Sequence, residues 1–390
     1  MNGSNDLWRN SRAVMALAVA IGLLLVVSAG SAIGSANRAV GLEVNAACYP
    51  TQQALVTVQQ SPHGVAVNSA AKRLYVVNHD SNTMTVINSE TYAVVKTVAA
   101  GYGPNGIAYN PTNNLIYIAA RNSNKVRVIR ASNYTLFKTI SVGSQPNGIA
   151  VNPTTNRIYV ANYGSGTVSV ISGATNTVIK TLAVGSEPSM VVVNPATNKA
   201  YVSLHGAGKI AVISGVTTVT KVDIYSAGPY GIALDRQRNL VYVATIDTFR
   251  IAVVDGATST FLGWAEIRKM PNGEPVPLRM IAVDPAIGSS GHVFVTTAVV
   301  DGGWNEVLVL SKGWPEYFAR AYALDLKAAR EGIAFEASTK RLFVTSRSTG
   351  KLAVYQDGEP ICPTNLEMAD YEVTVCVANP DGTCQQVVTH

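Results

Sequence analysis

Residues 146–187 read PNGIAVNPTTNRIYVANYGSGTVSVISGATNTVIKTLAVGSE, and this stretch is one copy of a unit that the chain repeats. Nearly superimposable copies of the same length begin at Pro62 and Pro104, and further copies begin at Pro188 and Pro229. A sixth copy, LRMIAVDPAIGSSGHVFVTT, and a seventh, REGIAFEASTKRLFVTSRSTGKLAVYQD, are more divergent. A repeat of about 40–45 residues with four short strands is typical of a propeller blade. The sequence therefore predicts an all-β protein, a seven-bladed β-propeller.

Each copy contains four segments in which β-branched and aromatic residues alternate as they do in strands. In the third copy these are a (GIAVN), b (RIYVAN), c (TVSVIS) and d (TVIKTLAV), named from the propeller axis outwards. Turns rich in Asn, Thr and Gly separate them. Strand a repeats a small residue because seven strands converge on the axis, as at Ala66, Ala108, Ala150, Ala233, Ala282 and Ala334.

The opening Pro-Asn-Gly-Ile-Ala-x-Asn-Pro and the core Arg-Ile-Tyr-Val-Ala-Asn resemble the YVTN-family β-propeller repeat. The tetrad stands here as Tyr75-Val76-Val77-Asn78 and Tyr159-Val160-Ala161-Asn162, and the resemblance covers residues 53–357. It implies a seven-bladed protein exported to the periplasm or cell surface, without implying a particular reaction. The recurrent residues belong to strands and turns, so the motif informs the fold more than the function.

The ends of the repeat region indicate how the ring closes. The seventh copy stops at Asp357 after strand c, and residues 54–61 (ALVTVQQS) match the d strand of the other copies. We expect this N-terminal strand to complete the last blade, which removes an open sheet edge. The propeller then covers residues 53–358, and a cysteine-containing tail with a short β-hairpin covers residues 359–390.

The first 36 residues have the pattern of a secretory signal peptide. Arg9 and Arg12 precede an apolar run from Ala13, and small residues follow as far as Ala36. The run is also long enough to cross a bilayer, so an uncleaved membrane anchor is the alternative. A linker is expected at 37–52. Both alternatives predict a secreted, periplasmic or cell-surface protein.

The charge is weak and scattered. A formal net charge of +6 is spread over 390 residues, of which 14% are charged. No cluster of Lys and Arg interleaved with aromatic residues suggests a nucleic-acid surface. We expect a monomer that does not bind nucleic acid.

Four cysteines lie outside the repeats, and their even number in an exported protein favours disulfides. A zinc site is the rival, although Cys-x-x-Cys spacing is absent. Cys48 shortly precedes the closing strand and Cys362 shortly follows the last c strand, so we expect them at one corner of blade seven. Cys376 and Cys384 flank a turn between two strand-like segments. We predict the pairs Cys48–Cys362 and Cys376–Cys384.

Function is expected on the face where the d-to-a and b-to-c connections surround the mouth of the channel, here called the upper face. The residue just before strand a differs from blade to blade but always carries a polar group. We call these residues the mouth ring: His63, Asn105, Asn147, Ser189, Tyr230, Arg279 and Glu331. A convergent polar ring predicts a ligand site. The alternative is a set of ordinary solvated residues, with Arg279 and Glu331 as an ion pair.

The b-to-c loops add a second layer on the same face. Its residues are His79, Asp80, Arg121, Asn122, Tyr163, His205, Asp247, Asp301, Trp304, Ser346 and Arg347. Insertions at 269–275 and 299–304 interrupt the repeat there, and insertions on one side of a regular scaffold often mark a ligand or partner surface. Asp301 and Trp304 are therefore further candidate ligand-binding residues. Evolutionary drift is the alternative explanation of both insertions.

No catalytic motif is present, neither Gly-x-Ser-x-Gly, His-Glu-x-x-His nor a Walker loop, so we assign no catalytic residue. Glu331, Asn105 and Asn147 are similar to the oxygen ligands of calcium in lactonase-type propellers, but the ring lacks an aspartate. The sequence favours a non-catalytic binding module, without a cofactor, for a small molecule or an envelope protein. The alternative is a metal-dependent lactonase, hydrolase or lyase with Ca²⁺ in its channel, or an accessory propeller of a redox enzyme.

Overall fold

A computed structural model describes residues 51–269, 274–275, 278–284, 292–297, 306–311, 321–325, 330–357, 371–379, 381 and 383–389. The expected signal peptide lies outside the described residues, as do Cys48, Asp301, Trp304 and Cys362. The described strands form seven sheets, which confirms the all-β, seven-bladed propeller. Within the described ranges, no helix is both long and apolar enough to cross a membrane.

The first strand, β1 (Thr51–Thr57), precedes three regular blades whose four strands pair in chain order. Blade one contains β2 (Pro62–Asn68), β3 (Arg73–Asn78), β4 (Thr83–Asn88) and β5 (Val94–Ala99). Blade two contains β6 (Pro104–Asn110), β7 (Leu115–Ala120), β8 (Lys125–Arg130) and β9 (Leu136–Ser141). Blade three contains β10 (Pro146–Asn152), β11 (Arg157–Asn162), β12 (Thr167–Ser172) and β13 (Thr177–Ala183).

Blades four to six continue the pattern. Blade four contains β14 (Pro188–Asn194), β15 (Lys199–Leu204), β16 (Lys209–Ser214) and β17 (Thr218–Asp223). Blade five contains β18 (Pro229–Asp235), β19 (Leu240–Thr245), β20 (Arg250–Asp255) and the longer β21 (Thr260–Lys269), whose end pairs with β22 (Glu274–Pro275). Blade six contains β23 (Leu278–Val283), β24 (His292–Thr297), β25 (Glu306–Ser311) and β26 (Ala321–Asp325). The b-to-c connections of blades two, three and four are the 3-10 turns η1 (Arg121–Ser123), η2 (Tyr163–Ser165) and η3 (His205–Ala207).

Blade seven is built from both ends of the repeat region. It contains β27 (Arg330–Glu336), β28 (Arg341–Ser346) and β29 (Lys351–Gln356), and its fourth strand is β1. β1 runs antiparallel to β29, with Thr51 opposite Gln356 and Thr57 opposite Lys351. The predicted closure by the N-terminal strand is confirmed, although the strand begins at Thr51 rather than at Ala54.

The C-terminal tail forms the predicted hairpin, from β30 (Tyr371–Ala378) and β31 (Cys384–Thr389). β30 pairs with β21, so the hairpin extends the sheet of blade five at its outer edge. Cys376 and Cys384 form a disulfide in this hairpin, with their Cα atoms 5.4 Å apart. The sequence pattern indicated the hairpin but not the blade on which it lies.

Strand b carries a buried tyrosine in blades one to five, and some of these tyrosines join their blade to the next. Tyr75, Tyr117, Tyr159, Tyr201 and Tyr242 are fully buried at this position. The hydroxyl of Tyr159 in blade three donates to the carbonyl oxygen of Gly215 in blade four at 2.9 Å, and Tyr201 donates to Gly256 of blade five at 2.7 Å. The tyrosine of the tetrad is therefore a packing residue that also links adjacent blades.

Blades six and seven have Phe294 and Phe343 at this position, which lack the hydroxyl. There the link is made by polar side chains at the ends of the strands. Nδ1 of His292 lies 3.0 Å from a carboxylate oxygen of Asp357, which joins blade six to blade seven. Arg341 donates to the carbonyl oxygen of Ser89 at 2.7 Å and joins blade seven to blade one.

Candidate functional site

Every mouth-ring residue lies in a β-bulge at the start of strand a. In blade one, Pro62 pairs with Asn78 and the register then shifts before Val65, so His63 lies within the shift. The same shift recurs at the start of strand a in every other blade. The sequence analysis placed the ring residues just before strand a. In the structure they belong to strand a itself. Bulges reorient side chains and are common next to functional sites.

Around the ring, strand a of one blade lies close to strand a of the next. A Cβ added to Gly64 would lie 2.6 Å from the carbonyl oxygen of Asn105 on the next blade, so the glycine that follows His63 is sterically required. Blades four and six carry Met190 and Met280 at the equivalent position. Further along the same strands, aliphatic side chains such as Val192 line a cavity of ≈ 390 Å³. The polar ring therefore stands at the mouth of a channel lined mostly by aliphatic side chains, with Arg236 and Tyr109 among them.

Burial divides the ring into two parts. Asn105 is 8% exposed, and Asn147 and Ser189 are fully buried, whereas His63, Tyr230 and Arg279 are half-buried. Three of the ring side chains are therefore not the solvated residues of an ordinary wet opening. The structure describes only the backbone of Glu331, so its ion pair with Arg279 stays a prediction.

Three neighbouring ring residues, His63, Asn105 and Asn147, form a row of hydrogen-bonded side chains. Nδ1 of His63 lies 2.7 Å from Oδ1 of Asn105. Nδ2 of Asn105 donates in turn to Oδ1 of Asn147. Because Asn105 presents its oxygen to the imidazole, His63 carries its hydrogen on Nδ1. The row therefore runs from donor to acceptor in one direction, towards Asn147.

Ser189, the next member of the ring, turns away from this row. Its hydroxyl donates to the carbonyl oxygen of Glu187 at 3.2 Å. Among the described residues, the buried Nδ2 of Asn147 has no hydrogen-bond partner. The row thus ends in a buried amide donor.

The row continues outwards to the seam between blades one and seven. The ring of His63 stacks on that of His79 at 5.0 Å, and Nδ1 of His79 lies 2.8 Å from a carboxylate oxygen of Asp80. Arg347 of blade seven donates to the hydroxyl of Ser61 at 3.1 Å. The hydrogen bond from His79 lowers the pKa of Asp80 below 3.8, and Ser61 and Arg347 lower this pKa further.

On the other side of the mouth lie three rings that we call the aromatic arc: Tyr163, His205 and Tyr230. The ring centroids of Tyr163 and His205 are 6.4 Å apart, and those of His205 and Tyr230 are 6.1 Å apart in an edge-to-face arrangement. A guanidinium lies at each end. The Cζ atom of Arg121 is 4.9 Å from the Tyr163 ring and that of Arg279 is 5.2 Å from the Tyr230 ring. The arc thus presents aromatic surface between two cations.

Burial raises the pKa of Tyr163 to about 12, and a hydrogen bond to Glu187 adds to this effect. Tyr163 is therefore a neutral donor at physiological pH. Nδ1 of His205 is buried and has no hydrogen-bond partner among the described residues. Five candidate side chains from blades two to six thus form one connected group: Arg121, Tyr163, His205, Tyr230 and Arg279.

Grooves between the blades adjoin the arc on the upper face. Tyr163 and Glu187 help to line a cavity of ≈ 700 Å³ between blades three and four. Glu187, His205 and Asp247 help to line one of ≈ 610 Å³ between blades four and five. Sequence reasoning missed Glu187, although its place in a d-to-a connection assigns it to the upper face.

The described residues include no group of three or more His, Cys, Asp or Glu side chains that could hold a metal ion. Ca²⁺ in the channel therefore stays a hypothesis that rests on the sequence alone. Asp301 and Trp304, the candidates from the insertion in blade six, lie outside the described residues.

The fold and the mouth define a seven-bladed β-propeller with its candidate ligand site on the upper face. The chain belongs to the YNCE-like beta-propeller family, whose family model matches residues 12–214, just over half of its length. This is consistent with the resemblance to the YVTN repeat. No curated protein sequence matches the chain.

Solved structures share the fold at low sequence identity. Hydrazine synthase from Kuenenia stuttgartiensis is 15% identical, with a TM-score of 0.64 over 78% of this chain and 98% of the other. The structure of U3-55K is 12% identical, with a TM-score of 0.65 over 79% of this chain and 100% of the other. At such identities the likeness concerns the fold alone.

Proposed function

We propose that the protein is a non-catalytic binding module of the periplasm or cell surface that holds its ligand at the channel mouth. The observation that carries this proposal is the aromatic arc, which lies between Arg121 and Arg279 and beside buried ring residues. Binding sites are typically concave surfaces in which apolar and aromatic groups supply contact area and a few placed polar groups supply orientation. Both kinds of group are present at this mouth.

The burial of Asn105, Asn147 and Ser189 supports a preorganised site. The side chains of Asn105 and Asn147 hold each other across two blades, and Ser189 is held by the carbonyl oxygen of Glu187, so binding a ligand would cost little conformational entropy. The assignment to the envelope is supported by the pattern of residues 1–36 and by the even number of cysteines. An envelope protein as the ligand is one outcome of the test below.

The test is a pull-down from envelope extract with the immobilised full chain, followed by identification of retained small molecules and proteins. We expect Arg279→Ala and Tyr230→Ala to lose the retained ligand. Arg236→Ala is the matched control, because Arg236 is an exposed arginine that lines the channel away from the ring. Equal retention by all three variants would place the ligand elsewhere and overturn the proposal.

Elemental analysis of the same preparation separates the binding module from the enzyme alternative. A binding module is expected without stoichiometric metal. One equivalent of Ca²⁺ or of a transition metal, lost together with the retained ligand on chelation, would favour a metal-dependent hydrolase instead.

A further inference from the structure

Cations without carboxylates occupy the outer strands of blades one to three. Strands c and d of these blades are β4, β5, β8, β9, β12 and β13, and their sequences contain neither Asp nor Glu. Their cations are Lys96, Lys125, Arg127, Arg130, Lys138 and Lys180. The outer strands of blades four to six carry carboxylates as well: Asp223, Asp255, Glu266, Glu306 and Asp325. The sequence suggested a scattered charge, whereas the fold gathers cations on one side of the ring.

Apolar side chains are exposed at the start of strand d in the same three blades. Five of them are each between 42% and 48% exposed: Val94, Val95, Leu136, Phe137 and Ile179. We call these five residues, together with Lys96, Lys138 and Lys180 of the same strands, the basic rim. Large apolar side chains that are exposed together often mark the contact surface for a partner or a membrane.

Hydrogen bonds between the blades make the basic rim one continuous surface. Nε of Arg73 in blade one donates to the hydroxyl of Tyr134, in the turn before β9 of blade two, at 3.3 Å. Nζ of Lys138 in β9 donates to the carbonyl oxygen of Thr175, in the turn before β13 of blade three, at 3.2 Å. The one carboxylate of these turns, Glu90, is paired with Lys72 at 2.8 Å. The positive charge of the rim therefore stays uncompensated by that carboxylate.

The basic rim lies at the face opposite the mouth. Strand d begins at the c-to-d turn, whereas the d-to-a and b-to-c connections form the upper face. β1 of the neighbouring blade seven begins at the same lower face, since Thr51 lies opposite Gln356 at the end of β29. The segment that the sequence predicts as a signal peptide or membrane anchor thus leads into the ring on the face that carries the rim.

Apolar side chains among lysines match the chemistry of an anionic bilayer. Ammonium groups pair with lipid phosphates, and apolar side chains enter the boundary between headgroups and acyl chains. The long stem of a lysine covers apolar surface while its charged end reaches outwards. The Cζ atom of Arg130 lies 4.6 Å from the centroid of the Phe137 ring, so a cation and an apolar group stand side by side. Nucleic acid would use the cations but gain little from valine and leucine.

We propose that the basic rim docks the propeller on an anionic lipid surface, with the lower face towards the bilayer and the mouth facing away from it. This inference does not depend on the mouth being a ligand site. It adds a second surface, with a lipid partner, to the one described above.

The lipid test uses the chain from residue 37 onwards, because residues 1–36 contain an apolar run that would itself enter a membrane. Every strand of the seven blades begins at Thr51 or later, so this chain keeps the whole propeller. Flotation compares vesicles of phosphatidylcholine with vesicles that also contain about one third phosphatidylglycerol. We expect at least about tenfold stronger binding to the anionic vesicles, and loss of most of this difference at about 1 M salt. Equal binding to both vesicles, or binding to neither, would overturn the proposal.

The variant test removes the lysines of the basic rim. Lys96→Gln and Lys180→Gln should each weaken binding to anionic vesicles about fivefold, and both together with Lys138→Gln about a hundredfold. Lys221→Gln is the matched control, because Lys221 is also an exposed lysine of a d strand, but in blade four beside Asp223. It should change binding by at most about twofold. A triple variant that binds vesicles like the parent chain would overturn the proposal, and aggregation of that variant would then show that these lysines only protect open strand edges.

The apolar part of the basic rim distinguishes lipid from other anionic partners. Phe137→Ser should weaken binding to anionic vesicles at least about fivefold, because the ring no longer enters the lipid. Tyr102→Ser is the control, since Tyr102 is an exposed aromatic residue in a d-to-a connection of the upper face. The urea midpoint of every variant is measured, so that a loss of fold is recognised. Equal binding by both serine variants would overturn the proposal. Lysine-dependent binding of polyglutamate by a chain that ignores vesicles would assign the rim to an acidic protein instead.

Discussion

The hydroxyl of Tyr117 in blade two donates a hydrogen bond to Oδ1 of Asn176 in blade three, and the two oxygens are 2.6 Å apart. Both residues are buried. The same hydroxyl accepts a hydrogen bond from Nδ2 of Asn113 at 2.8 Å. One phenol oxygen thus connects two blades at a site without solvent.

Tyr117→Phe should lower the free energy of unfolding by about 1–3 kcal/mol, because it leaves the buried amide oxygen of Asn176 without its donor. Urea denaturation measures the change. Tyr102→Phe is the control, since Tyr102 is 62% exposed. Loss of its hydroxyl should change the free energy of unfolding by at most about 0.5 kcal/mol. Equal stability of both variants would show that the inter-blade hydrogen bond contributes nothing.

Arg279→Ala should abolish ligand binding while leaving the fold intact. Arg279 is half-buried at the mouth, and loss of an exposed ion pair typically costs about 0–1 kcal/mol of stability. Thermal unfolding and ligand titration are measured on the same samples, together with Glu331→Ala. Full binding by both variants would move the site elsewhere on the upper face, and the loop of Trp304 would be tested next.

Asp80→Asn, at the seam between blades one and seven, should lower the free energy of unfolding at neutral pH more than at acid pH. The pKa of Asp80 is lowered in the folded chain, first by the hydrogen bond from His79, so its contribution is present above the unfolded value of 3.8. That contribution is lost as the pH falls through the lowered folded pKa. The parent chain should therefore be more stable than the variant at pH 7, and the difference should shrink as the medium is acidified below about pH 4.

The measurement is a series of urea denaturation curves between neutral and acid pH. Asp247→Asn is the control, because Asp247 lies in the equivalent connection of blade five, away from the seam. A difference between the parent and Asp80→Asn that stays constant over the whole range would contradict the assigned role of the carboxylate.

Non-reducing peptide mapping should yield one peptide pair linked through Cys48 and Cys362 and a second linked through Cys376 and Cys384. The first two residues are more than 300 positions apart, so a bond between them should stabilise the ring by about 4–5 kcal/mol in the chain-entropy model. Replacing Cys48 with Ser should lower stability accordingly, whereas Cys376→Ser should affect mainly the hairpin on blade five. Free thiols at Cys48 and Cys362, or a link from Cys48 to Cys376 or Cys384, would rule out this closure.

The sequence could predict the blades and their closure because these features are periodic and local. Each turn and each alternating strand recurs every 42 residues in the first copies, and the missing d strand after Asp357 has its match before Pro62. The docking of β30 on β21 could not be predicted. It pairs segments about a hundred residues apart, and no alternation pattern states which open edge a hairpin will join.

The candidate site was predictable in membership but not in chemistry. The repeat register identifies His63, Asn105 and Asn147 as equivalent residues. Their burial and the direction of their hydrogen bonds depend on how closely strand a of one blade approaches the next, and equivalent positions in a repeat carry no such information. The role of Glu187 beside Tyr163 likewise depends on contact between two blades.

The pairing of Thr51 with Gln356 has a mechanical consequence. The chain enters β1 and leaves β29 at the same corner of blade seven, so tension applied to the two ends would peel the strands apart one hydrogen bond at a time. Peeling needs far less force than sliding one strand along the other, because only one hydrogen-bonded residue pair bears the load at any moment. A ring that withstands unfolding by urea could thus still open under a gentle pull, unless a covalent bond near that corner takes up the tension.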